Sequence, residues 1–145
     1  MNIYLDTSAL VKLYIEEEGS DIVNDHTNRA TIVSTSRIAY AEAISAFVRC
    51  KNEKVFSKHN YDKCIAGFKS DWEMYFVMEA TEQVVKIAGD LIEDHGIRGF
   101  DSIHLASAVV LRKEINQSID FLCWDYRLLE AAKKEGFKTW PNRLV

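Results

Sequence analysis

The sequence predicts an α/β/α sandwich built on a central parallel sheet of about five strands. Three observations lead there. Short apolar runs alternate with amphipathic stretches from one end of the chain to the other. One proline and six glycines leave little punctuation, and no linker, repeat or low-complexity tract breaks the pattern. The 145 residues, 48% of them apolar, are one domain's worth of chain with ample material for a core, so 1–145 is read as a single domain.

Asn2-Ile3-Tyr4-Leu5 is an apolar run of strand length. A helix is expected from about Ser8 to a stop at Gly19, with a short one over 21–27. Thr31-Ile32-Val33 is the second strand, and Ser34, Thr35 and Ser36 offer N-caps for a helix through Arg49. Tyr61, Ile65, Phe68, Trp72 and Tyr75 recur at steps of three and four, the apolar face of another helix. Phe76-Val77-Met78 suits a third strand. Thr81 caps a helix with a Val84, Ala88, Leu91 and Ile92 face, ended near Gly96. Asp101 opens a helix that is apolar nearly all round, hence buried. Phe121-Leu122-Cys123-Trp124 is the fourth strand, Asp125 begins a helix ending in Lys133-Lys134 and Gly136, and 137–140 is a fifth strand.

Composition excludes several functions. With 18 Lys and Arg against 22 Asp and Glu the net charge is −4, so the chain is no broadly basic nucleic-acid binder, and any such contact must use a local patch. Cys50, Cys64 and Cys123 are odd in number and far apart, which suits a reducing cytoplasm and gives neither a disulfide scaffold nor a CxxC metal site. No signal peptide is expected, because Asp6, Lys12 and Glu16-Glu17-Glu18 interrupt the N-terminal region. No apolar stretch approaches the ~20 residues of a membrane helix.

Ligands of such sheets bind at the carboxyl ends of the strands. No GxGxxG, P-loop, HExxH or G-x-S-x-G occurs there. What that edge offers is carboxylates. Asp6 follows strand one and Asp125 follows strand four; Asp101 opens the buried helix, and each of the three could equally be a helix N-cap. Glu42 lies in the apolar run Ile38-Ala39-Tyr40-Ala41-Glu42-Ala43-Ile44, where an unpaired buried carboxylate would be costly. Its alternative is an exposed stripe with Ser45 and Arg49. In a parallel topology the ends of strands one and four meet mid-sheet, and Asp101 joins them if the 93–100 loop returns its helix to that edge. Four carboxylates in one cleft call for a cation, and an all-oxygen set selects a hard one, Mg²⁺ or Mn²⁺. Setting these four aside leaves 18 acids against 18 bases.

Ile3-Tyr4-Leu5-Asp6-Thr7-Ser8-Ala9-Leu10, Ala41-Glu42 in a small-residue helix, Phe100-Asp101-Ser102-Ile103-His104-Leu105-Ala106-Ser107-Ala108 and 121–129 together resemble the PIN-domain nucleases, and among them the VapC-type toxins of toxin–antitoxin pairs. The resemblance spans nearly the whole chain and is weakest over 51–95. It implies a metal-dependent endoribonuclease whose catalytic and metal-binding acids are Asp6, Glu42, Asp101 and Asp125, with the Thr7 or Ser8 hydroxyl in support. Metal-activated water would attack an RNA phosphodiester and leave a 5′-phosphate, with no histidine base. It further implies a small antitoxin partner and a homodimer. Two departures stand out. Cys123 and Trp124 precede Asp125 where the family has a Thr or Ser and a small residue, and the interval from Asp101 is lengthened around 112–117. Both leave Asp120 open as the fourth acid.

Lys12, Arg37, Arg98 and Arg127 flank these motifs and could steer an RNA backbone or be solvated cations. His104 reads as a satisfied packing residue, the Phe68, Trp72 and Tyr75 stripe as core or a dimer face, and Cys123 as a buried inert thiol. Two other functions compete. A phosphotransferase with Asp6 as nucleophile would want an acid two residues on, where Ser8 stands. A receiver-like binding domain would want an acceptor Asp after strand three, where Glu79-Ala80-Thr81 stands.

Overall fold

In the computed structural model, which describes residues 1–144, five strands form one sheet. They are β1 (Asn2–Leu5), β2 (Ile32–Ser36), β3 (Phe76–Met78), β4 (Asp120–Leu122) and β5 (Lys138–Trp140). Their order is β3-β2-β1-β4-β5, and every adjacent pair is parallel. The connecting helices are α1 (Thr7–Leu10), α2 (Ser20–Arg29), α3 (Ala39–Asn52), α4 (Lys58–Trp72), α5 (Glu82–His95), α6 (Gly99–Ile115) and α7 (Tyr126–Lys134).

Alternation along the strands divides the core in two. Ile3, Leu5 and Leu122 point to one face and pack with Leu10, Phe47, Phe68 and Trp72 from α1, α3 and α4. Tyr4, Phe121 and Cys123 point to the other and pack with Leu91, Leu105, Leu111 and Leu128 from α5, α6 and α7. With both faces covered, all four residues of β1 are buried, as an uninterrupted apolar run requires. The fold is the expected α/β/α sandwich, and the Phe68 and Trp72 stripe belongs to its core.

Several elements differ from the sequence reading. Ser34, Thr35 and Ser36 do not precede a helix; they extend β2 and are buried. Ser34 and Thr35 donate to the Ile3 and Leu5 carbonyls of β1 at 2.8 and 2.7 Å, so the strand satisfies the hydroxyls that otherwise favour caps. Helix α3 therefore starts at Ala39, which brings Glu42 into its first turn. The helix after β1 ends at Leu10 and continues as a 3-10 turn through Leu13, short of Gly19. Gly19 instead heads α2 with φ +94°, and a Cβ there would lie 2.5 Å from Trp124 Cζ2. Handedness and space both demand glycine at this position.

At the C-terminal end, Arg98 occupies the cap of α6 without a side-chain capping bond, and Asp101 falls inside the first turn. Asp101 is thus no N-cap. Strand β4 covers Asp120–Leu122, leaving Cys123 and Trp124 as the link to α7. The lengthened 112–117 stretch is absorbed by the end of α6 and by Asn116 at φ +52°, beside the opposite edge of the sheet, where Asn2 donates to Gln117 at 2.9 Å. It does not displace Asp125. No helix among the described residues is long and apolar enough to cross a membrane.

Candidate active site

The chain leaves central β1 for β2 on one side and returns as β4 on the other. Beyond the carboxyl ends of β1 and β4 lies the crevice such a switch of direction creates. Asp6 extends the β1–β4 ladder, its amide donating to the Leu122 carbonyl at 3.3 Å. Its side chain caps α1 by accepting from Ala9 N at 2.9 Å and takes the Ser8 hydroxyl at 2.7 and 2.9 Å on its two oxygens. Ser8 in turn accepts the Trp124 amide at 2.8 Å, which ties the end of β1 to the link after β4. Capping and site placement are therefore the same geometry here. Asp6 is only 4% exposed, and burial drives its carboxyl from 3.8 up to about 6. His104, Ser8 and the Ala9 amide oppose that rise, and Asp101 adds to it.

Glu42 projects from the first turn of α3 to the same edge. Thr7 donates to its Oε1 at 2.5 Å, and His104 Nε2 donates to the same oxygen at 3.0 Å. His104 is 2% exposed, also within 3.1 Å of Thr7 Oγ1, and its Nδ1 shares a hydrogen bond of 2.9 Å with the Tyr4 hydroxyl. Burial would push the Glu42 carboxyl up, but the bonds from His104 and Thr7 outweigh it and leave the group below its ordinary value. Glu42 thus belongs to a polar network rather than to a solvated stripe. His104 is the buried, satisfied residue its helix suggested, and the bonds that satisfy it reach Glu42. The signal was the spacing of Asp101 and His104, three residues apart on one helical face, facing Tyr4 and Thr7 three apart across the end of β1.

Asp101 and Asp125 complete the edge from α6 and the start of α7. Asp125 caps α7 through Leu128 N at 2.9 Å. Arg98 spans the two acids, with Nε 3.2 Å from Asp101 Oδ2 and a terminal nitrogen 3.0 Å from Asp125 Oδ2. Burial raises the Asp101 carboxyl above its usual range, the Asp125 charge raises it further, and Arg98 opposes both. The expected 93–100 loop is only the 96–98 link between α5 and α6, and it does return the start of α6 to this edge. Asp120 does not reach it: it begins β4 opposite Ile3, and its Oδ2 accepts the Trp140 indole N–H at 3.0 Å.

A cleft lined by Glu42 and Asp101 runs beside this edge in two lobes that share Glu42 and Arg98. One, of 490 Å³, is walled by Gly99, Phe100 and Asp101; the other, of 570 Å³, by Thr7, Ser8, Val11, Ala46 and Arg49 among others. Among the described residues no three His, Cys, Asp or Glu side chains are gathered around one point as a ready cation site. Arg98 lies on Asp101 and Asp125, and Glu42 is turned onto Thr7 and His104. The donor set itself, carboxylate oxygens whose burial and mutual repulsion raise Asp6 and Asp101, fits a hard divalent ion.

The other cations flanking the motifs are tied up or lie on the surface. Lys12 is buried against Glu17 at 2.8 Å, its ammonium 4.9 Å from the Trp124 ring; Arg37 pairs with Glu79, and Arg127 is exposed. Cys123 is fully buried, and burial holds its thiol protonated. Trp124 is accommodated before Asp125 because Gly19 leaves room for its ring.

The PIN-domain family model matches residues 3–134. The chain belongs to the PIN-domain family. Ribonuclease VapC45 of Mycobacterium tuberculosis is 30% identical over 98% of this chain and 96% of its own, which groups the chain with the VapC-type members. Two solved structures share the fold at low identity. FitAcB from Neisseria gonorrhoeae has a TM-score of 0.67 at 15% identity over 97% of both chains. Mycobacterium tuberculosis VapC20, described as a Sarcin-Ricin loop cleaving toxin, has a TM-score of 0.64 at 18% identity over 94% of this chain and 96% of its own.

Proposed function

We propose that this PIN-domain chain, 1–145 acting as one domain, is a Mg²⁺- or Mn²⁺-dependent endoribonuclease and the toxin of a toxin–antitoxin pair. The observation that carries the reading is that Asp6, Glu42, Asp101 and Asp125, from four separate elements, stand along the edge of the sheet where its direction switches, with Glu42 and Asp101 lining the cleft there. Kinship with proteins named ribonucleases supports the substrate class.

Asp6, Glu42, Asp101 and Asp125 are the residues that would hold the ion. Bound there, a divalent ion supplies a lowered water pKa and a clamp on the charge of the breaking phosphodiester. The chain's own contribution is orientation. Ser8 and the Ala9 amide fix the Asp6 carboxylate, and Thr7 and His104 fix Glu42 by the hydrogen bonds that hold a ligand to one rotamer. His104 carries no proton to substrate in this scheme, since its nitrogens face Tyr4, Thr7 and Glu42. Arg49 and Arg98 on the cleft walls oppose the RNA backbone charge.

A small antitoxin covers the cleft in the resting pair, in keeping with neighbours in the fold that are toxin–antitoxin complexes, and the toxin pairs as a homodimer in the cytoplasm, where its RNA is. The test is RNA cleavage by antitoxin-free protein in Mg²⁺ or Mn²⁺ against EDTA, with Asp6→Asn alongside. Cleavage that needs the ion and disappears in the variant is expected. Full activity in Asp6→Asn, purified free of wild-type enzyme, overturns the site.

A further inference from the structure

Arg98 is the one cation in contact with two of the four edge acids among the described residues. Its guanidinium bonds Asp101 Oδ2 and Asp125 Oδ2, bridging the acids of α6 and α7. The bridge is not a buried structural one: the arginine side chain is 74% exposed, while Asp101 and Asp125 are 19% and 30% exposed. A long flexible cation lying in water over two half-buried carboxylates is held by these two charged hydrogen bonds, and its own packing holds it little. It also has somewhere to go. The same side chain lines both lobes of the cleft, with Glu42 and Phe100 on one side and Thr7, Ala46 and Arg49 on the other.

We propose that Arg98 is a built-in counter-cation that a divalent ion must displace from Asp101 and Asp125, and that the displaced guanidinium then grips a non-bridging phosphate oxygen of the RNA strand. The proposal rests on the metal-site reading above. Two cations cannot occupy the same carboxylate oxygens at full strength, so arginine and ion compete. Before the ion arrives, the one guanidinium charge offsets part of the repulsion between Asp101 and Asp125. Once free, a planar guanidinium with five N–H donors matches a phosphate better than an ammonium would. Arg98 is a positioning residue in this scheme and touches no bond that breaks.

The measurement is Mn²⁺ binding to antitoxin-free protein, read from the electron paramagnetic resonance of free Mn²⁺, for wild type, Arg98→Met, Asp101→Asn and the double variant. Arg98→Met is expected to bind Mn²⁺ more tightly, roughly fivefold, the scale of an exposed ion pair removed from competition. In the Asp101→Asn background that gain shrinks, because one of the two contested carboxylates is gone. Equal affinity in wild type and Arg98→Met, with Asp101→Asn weakened, overturns the competition and leaves the metal site standing. No binding in any variant overturns both readings. At saturating Mn²⁺ Arg98→Met raises KM for RNA more than it lowers kcat, and Arg98→Lys recovers part of the KM. An unchanged KM overturns the phosphate role. Thermal denaturation of each variant separates these effects from a failure to fold.

Discussion

Glu42 and Asp101 face the same cleft, yet what holds them differs at every bond. Glu42 is fixed by neutral or ring donors from the interior, Thr7 and a His104 that is itself anchored on Tyr4 of the central strand. Asp101 is held from outside by one exposed arginine that it shares with Asp125. The first arrangement is set when β1, α3 and α6 pack and places two donors on one Glu42 oxygen. The second is reversible. Half of the cleft is thus preorganised and half is adjustable, the division expected where a ligand has to enter after folding. Asp6 lies on the rigid side under the strain of its own burial, which raises its carboxyl to about 6.

The largest effect should come from relieving that strain. Asp6→Asn keeps an oxygen for the Ala9 amide and removes the charge. RNA cleavage should fall at least about a hundredfold, since even partners of metal ligands are worth up to that much. Stability should move the other way. A carboxyl at 3.8 in the unfolded chain and about 6 when folded contributes most below pH ~4, and that contribution is lost as pH rises through about 6. At pH 7.5 without divalent ions the variant should therefore be more stable than wild type by up to roughly 3 kcal/mol, at ~1.4 kcal/mol per unit. The gap should close toward pH 4. Chemical denaturation across that range decides it, and a wild type that outlasts the variant at pH 7.5 would falsify the strain.

Breaking the rigid half at its hinge comes next. His104→Ala removes the donor to Glu42 and one partner of the buried Tyr4 hydroxyl, a loss of about 1 kcal/mol for the bond to Tyr4. Cleavage should fall roughly tenfold to a hundredfold, the usual loss when the partner of a metal ligand is removed. Paired denaturation and cleavage assays check this, and normal values in both would mean that Thr7 alone holds Glu42.

The two halves were not equally legible in the sequence. Asp6, Glu42, Asp101 and Asp125 could be nominated because each stands at an element boundary or in an apolar run, signals that are local. The strands were legible for the same reason, down to the fully buried Asn2–Leu5 run. His104 was not, because its role is a contact among Tyr4, Thr7 and Glu42 that only the packed fold brings together. Nor was β2 beyond Val33: a serine or threonine is a good cap or a good buried strand residue depending on whether a neighbouring carbonyl is in reach. Gly19 misled in a like way, since a positive φ serves a helix start as readily as a stop. Asp101 and Asp125 raised the same cap-or-site question, and it resolved differently for each. Asp125 caps α7 and still meets Arg98 at the edge, whereas Asp101 caps nothing and lines the cleft.

A smaller effect probes how the rigid half is braced. Gly19→Ala forces a Cβ into the Trp124 ring at a positive φ, and should cost on the order of 2 kcal/mol. Trp124 also carries the amide that fixes Ser8 on Asp6, so cleavage should drop a few-fold along with the melting temperature. Trp124→Ala in the same chain opens the space and should return part of the stability, by an interaction of roughly 1 kcal/mol. Strictly additive losses in the double variant would show that the ring is not what the Cβ strikes.

The smallest effect is the most discriminating for the fourth acid. Asp120 and Asp125 are five residues apart in sequence and at opposite ends of one short strand and its link. Asp120 accepts the Trp140 indole and pairs in register with Ile3, three residues before Asp6. Its carboxylate thus belongs to the β4–β5 pairing. Asp120→Asn keeps an acceptor for that indole, so stability should change by less than about 1 kcal/mol, the scale of one ordinary hydrogen bond. Cleavage should remain within about twofold of wild type. Asp125→Asn keeps the Leu128 cap but loses the charge that Arg98 and a metal ion share, so its cleavage should fall far more. If Asp120→Asn proved the more damaging of the two, the cleft would have to be redrawn around the other end of β4. The Trp124 departure would then mark a displaced site; the Gly19 pocket that receives its ring argues that it marks an accommodated one.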